Sequence, residues 1–87
     1  MNFLKFPLNN QNAGTAVEVT LDGVESDVFL VDDPNLATFQ RGGQFRYVGG
    51  HYKASPVVLG VPSTGNWTAI VVPGTGGTVR ASVRTLN

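Results

Sequence analysis

Apolar and polar residues alternate with a period of two along most of this chain. In residues 15–22, Val17, Val19 and Leu21 alternate with Glu18, Thr20 and Asp22. Successive side chains of an extended backbone point to opposite sides, so this pattern predicts a strand with one buried and one solvated face. Residues 78–84 repeat it, with Val79, Ala81 and Val83 inward and Arg80, Ser82 and Arg84 outward. Residues 27–32 form a continuous apolar run between two aspartates, the mark of a central strand covered on both faces. Residues 44–48 predict another strand, with Phe45 and Tyr47 on one face, and residues 1–8 read as a first strand rather than a signal peptide.

Turn signals divide these segments. Asp22-Gly23 ends the strand before it. Residues 56–61 and 66–72 flank the turn 62–65 and predict a hairpin, with Gly60 marking a bulge or a close backbone approach and Trp67 capping the core. Gly74-Thr75-Gly76-Gly77 lacks the lysine and helix start of a phosphate-binding loop, and a β-patterned segment follows it, so it reads as a hairpin turn. The helical signal is a single turn after Asp33-Pro34-Asn35, capped by Asp33 and pinned by Leu36 and Phe39, three residues apart. About six to eight short strands with regularly spaced turns predict an all-β fold, a small antiparallel β-sandwich or partly open barrel with at most one short helical turn.

The 87 residues suffice for one domain, residues 1–87. There is no cysteine to supply a disulfide or a thiolate metal site, and six basic residues balance six acidic ones. Neutrality removes the global attraction that carries most nucleic-acid and anionic-membrane binders. No stretch approaches a membrane span, so the expectation is a soluble, cytoplasmic protein. Acidic residues crowd the first half and basic residues the second. Strands from the two halves are expected to pair and cancel them across neighbouring positions.

Catalytic and metal chemistry find little support in the residue inventory. The chain has one histidine, no cysteine and no nucleophile elbow, whereas a nucleophile needs an adjacent base oriented by a third group. Asp32-Asp33 lacks the oxygen spacing of a calcium loop, so neither a metal nor a cofactor is expected. One segment stands apart: between Arg41 and Pro56, two glycine pairs are interleaved with Arg46, Tyr47, His51, Tyr52 and Lys53. Rings and cations beside bendable backbone can stack on a ligand, donate to it or pair with its charge. These five residues are the candidate ligand-binding set.

Residues 17–23, 27–32, 47–56, 61–67 and 78–84 also fall in the order and spacing of a bacterial family, Domain of Unknown Function 1883, which the chain resembles over nearly its whole length. The Gly49-Gly50-His51 step, Ser55-Pro56 and the Ser63-to-Trp67 turn carry the resemblance most specifically. It implies a small β domain, found alone or ahead of other modules such as Toll/interleukin-receptor-like domains, with no established activity. The functional expectation is a non-enzymatic binding or protein-interaction module with its contact surface at residues 46–53. Its expected partner is a protein or a small polar ligand, and charge balance disfavours nucleic acid. The alternative is a structural protein that forms homo-oligomers through edge strands.

Overall fold

Two antiparallel sheets face each other in the computed structural model, which describes residues 2–75 and 77–86. In chain order the elements are β1 (Leu4–Gln11), β2 (Ala16–Gly23), β3 (Ser26–Asp32), α1 (Asp33–Gln40), β4 (Val48–Tyr52), β5 (Val57–Gly60), β6 (Gly65–Pro73) and β7 (Val79–Leu86). The larger sheet has the order β1-β6-β3-β4 and the smaller β5-β2-β7. This is the expected β-sandwich. Its core lies between the sheets, where Val17, Val19, Val57 and Leu59 meet Val28, Leu30, Trp67, Ala69 and Val71. Each fully buried Val or Leu side chain contributes about 1.5–3 kcal/mol of apolar burial, opposed by the entropy of ordering the chain.

β3 is central, lying between β6 and β4. Its alternate residues Val28 and Leu30 face the other sheet, while Val31 on the outer face packs with Ile70 beneath Phe39 of α1. Helix on one side and sheet on the other explain why the run from Val28 to Val31 is apolar without alternation. In β7 the alternation holds as expected: Arg80, Ser82 and Arg84 are exposed, and Val79, Ala81 and Val83 pack against the core. β2 and β7 also cancel charge across the sheet. Glu18 lies opposite Arg84 and Asp22 opposite Arg80, and the Arg84 Nε donates to Glu18 Oε1 at 2.7 Å.

Five local expectations change. Residues 44–47 lie outside any strand, and the strand in this region is β4, which begins at Val48. β5 and β6 form no hairpin: β5 pairs with β2 and β6 pairs with β1 and β3, so residues 61–64 cross between sheets. The crossing sets Val57, Leu59 and Val61 facing Trp67, Ala69 and Val71 across the core instead of beside them. Residues 74–78 likewise cross from β6 to β7, with Gly76 outside the described residues. Gly60 pairs regularly with Ala16 and has open space beside it; the bulge lies in β1 between Pro7 and Asn9. Finally, the helix has eight residues and its N-cap is Asp32, the last residue of β3, whose extended backbone turns its carboxylate onto the Asn35 N–H. Asp33 sits one residue inside, in the first turn.

Among the described residues, no strand pairs with its immediate neighbour through a tight turn. β3 and β4 come closest, and α1 lies between them.

Candidate functional site

The outer face of the larger sheet carries the polar and aromatic groups of interest. On its edge strand β4, Gly49 lies opposite Phe29 and His51 opposite Asp27. Gly49 has φ +133°, and a Cβ there would overlap the Val28 carbonyl, so only glycine admits this close approach. With no side chain at Gly49, the Phe29 ring is left open on this face. The Tyr47 ring fills the place, 4.4 Å from Phe29 between centroids.

Tyr47 ends a continuous aromatic series. Phe3 meets Phe39 at 5.0 Å, Phe39 meets Phe45 at 5.1 Å, and Phe45 meets Phe29 at 5.5 Å and Tyr47 at 5.3 Å. The three phenylalanine pairs are near-perpendicular, the edge-to-face arrangement that ring quadrupoles favour. The inner members are buried or half-buried, but Tyr47 keeps 50% of its surface exposed. A large ring is thus held outward by packing behind it.

Asn35 fixes the loop that carries Arg46 and Tyr47. Its own N–H and Nδ2 donate to Asp32 Oδ1 at 3.0 and 2.8 Å, which leaves its Oδ1 to accept the Arg46 N–H at 2.7 Å. The helix cap therefore also positions the loop. Beside it opens a pocket of ≈ 240 Å³ lined by Asp32, Asn35, Arg46, Tyr47, Val48, Pro62 and Trp67. Under its rim the Trp67 Nε1 donates to the Ser63 carbonyl at 2.8 Å.

His51 is held by two carboxylates. Its Nδ1 lies 2.8 Å from Asp27 Oδ1 and its Nε2 3.5 Å from Glu25 Oε1. The hydrogen bond to Asp27 raises its pKa above the ordinary 6.5; burial opposes the shift and Glu25 reinforces it. Asp27 and Phe29 are two apart on β3 and share this face, so His51 and Tyr47 are neighbours on it.

The five residues singled out from the sequence do not share one surface. Arg46 and Tyr47 line the pocket and His51 stands beside them on the outer face. Tyr52, the next residue along β4, points inward and packs against the core, and exposed Lys53 lies past the strand end. Sequence reading missed Asn35, Asp32, Asp27 and Glu25 as partners. The Asx spacing of Asp32 and Asn35 was a local signal for the first pair; the acids facing His51 depend on strand register.

The family model for Domain of unknown function (DUF1883) matches residues 1–87. The chain belongs to this family. Comparisons with curated proteins and with solved structures return no match. Among the described residues of this DUF1883 domain, no group of His, Asp and Glu is arranged to hold a metal ion. No helix among them is long and apolar enough to cross a membrane.

Proposed function

We propose that this domain is a non-enzymatic binding or protein-interaction module whose contact face is formed by Arg46, Tyr47 and His51, with Lys53 at its margin. The observation that carries this reading is Tyr47: half-exposed, yet packed at a tilt against Phe29 and Phe45. A ring immobilised before binding loses little entropy on contact, and exposed Tyr and Arg are the residues that dominate binding hot spots. The Arg46 guanidinium and the pocket beside it suit a protein side chain or a small polar ligand with an acceptor group. Balanced charge argues against a nucleic-acid backbone. Catalysis is disfavoured because the chain offers its single histidine no cysteine or nucleophile elbow to activate.

A thermal-shift screen of peptides and small polar compounds tests this reading. A ligand at about 100 times its Kd stabilises a domain of this size by about 2.7 kcal/mol, roughly 10 °C or more in Tm. The expected result is a stabilising ligand whose effect is lost in Tyr47→Ala and Arg46→Ala and kept in Lys5→Ala. A stabilising ligand indifferent to both substitutions overturns the assignment of this face.

A further inference from the structure

The two sheets are unequal, and the difference lies at one side. The larger sheet has one strand more than the smaller, and among the described residues its edge strand β1 forms no ladder with β7, the edge of the smaller sheet. The inward residues there remain half-buried: Leu4, Phe6 and Leu8 on β1, and Val79, Ala81 and Val83 on β7. Val17 and Val19 on neighbouring β2 are completely buried. At one end of this open side lies a cavity of ≈ 530 Å³ between Phe3 and Leu4 on one side and Thr78 and Val79 on the other.

The free edge of β7 borders the same opening. The Val24 N–H donates to the Thr78 carbonyl, and this pair continues the register in which Gly23 meets Val79 and Ala16 meets Leu86. Hydrogen-bonded pairs alternate along an antiparallel ladder, so the backbone groups of Arg80, Ser82 and Arg84 face β2, while those of Val79, Ala81, Val83 and Thr85 point away from it. Other edges are protected against pairing. β1 carries Pro7 and a bulge, β4 has five residues with two glycines, and β5 has four residues between Pro56 and Pro62. β7 has eight residues, no proline or glycine and an unbroken register. Such an edge is a template for strand addition.

We propose that the free edge of β7 is a strand-receiving site for an extended acidic segment of a partner protein, which completes the smaller sheet over β1. Charge selects the occupant. Arg80 and Arg84 project from the outer face of β7, and among the described residues Arg80 makes no ion pair. On the free side both fall at non-hydrogen-bonded positions, where facing side chains come closest. An antiparallel segment with acids four residues apart sets one acid opposite each arginine, the spacing with which the β2 register places Glu18 opposite Arg84 and Asp22 opposite Arg80, and its intervening apolar residues cover Leu4, Phe6 and Leu8. A second copy pairing through its own β7 about Ser82 sets Arg80 against Arg84 in both directions, a repulsive arrangement.

The probe is a capped peptide with the sequence of residues 16–23, the segment that β7 already accepts on its other side. Affinity is read by fluorescence polarisation and its location by amide shifts of the 15N-labelled domain. The peptide is expected to bind roughly tenfold or more tightly than its Glu18→Lys/Asp22→Lys counterpart, to shift amides of residues 79–85, and to weaken as salt rises. Ala81→Pro in the domain removes an N–H directed at the free edge and is expected to abolish binding. N-methylation of the peptide at Val19 and Leu21, where it donates to β7, does the same without risk to the domain's folding. Equal binding of the two charge forms, no binding at millimolar peptide, or shifts confined to residues 46–53 overturns the proposal. A concentration-dependent dimer with its β7 amides protected in the domain alone also overturns it, by giving the edge to a second copy.

Discussion

Trp67 is the largest side chain in the core and borders both sheets and the Tyr47 pocket. It retains 7% of its surface, and its Nε1 donates to the Ser63 carbonyl. A buried tryptophan removes about 200–250 Å² from water, worth up to roughly 5–6 kcal/mol at 25 cal/mol per Å². Compactness of the unfolded chain lowers that figure by about 10–40%, leaving roughly 3–5 kcal/mol, the range found for large aromatics replaced by alanine. Ser63 is exposed, so water takes over its carbonyl and the lost hydrogen bond adds little. Trp67→Ala is therefore expected to cost roughly 3–5 kcal/mol out of a total near 4–13 kcal/mol for a domain of this size. Trp67→Phe, which keeps most of the ring, is expected to cost about 1–2 kcal/mol. Urea unfolding followed by far-ultraviolet circular dichroism measures both, since the fluorophore itself is removed. A loss below about 1 kcal/mol for Trp67→Ala refutes the reasoning, because no well-packed aromatic is so dispensable.

The single histidine makes the carboxylate clamp directly measurable: NMR titration of its ring protons should give a pKa above 6.5 that falls in Asp27→Asn. A pKa raised by folding adds stability below the unfolded value and loses it as pH rises through the folded value, so the Tm deficit of His51→Gln should be larger near about pH 5 than near about pH 8. Gly49→Ala forces a Cβ onto the Val28 carbonyl at positive φ and should cost about 2 kcal/mol or more, whereas Gly50→Ala enters open space and should change stability by less than about 1 kcal/mol in thermal melts. Asp32→Ala removes the helix cap and should cost about 1–2 kcal/mol, against less than about 0.5 kcal/mol for Asp33→Ala, and amide shifts at Arg46 should report the loop released through Asn35.

Alternation made β2 and β7 legible because each has one wet face, and the unbroken run of β3 announced a strand covered on both sides. Periodicity reports which way a side chain faces, not which strand lies beside it. The segments on either side of Pro62-Ser63-Thr64-Gly65 therefore read as a hairpin, since a crossing between sheets needs the same turn residues. Gly49 and Gly50 look like strand breakers, and this displaced the expected strand onto residues 44–48. In the fold Gly49 is what lets β4 pair at all. Adjacent acids hid the cap, because Asp32 and Asp33 are equally good capping residues and only the end of β3 decides between them. Arg46, Tyr47 and His51, which the sequence grouped by residue type, are all exposed. Tyr52 could not be separated from them, because its inward direction follows from a register that the residues around it do not encode.

The lack of hairpins sets the order in which the molecule can assemble. Ala16 waits for Leu86 and Leu4 for Val71, with most of the chain between them, so little native pairing can form as the first strands leave the ribosome. Loop closure must be met before any of these ladders gives stability in return, which places folding among the slow all-β domains, on the order of milliseconds to seconds. Through that interval β2 stands without its flanking strands, exposing Val17, Val19 and Leu21 together with both of its edges. Glu18 and Asp22 on the same strand then act as gatekeepers, keeping nascent chains from stacking on one another until β7 arrives.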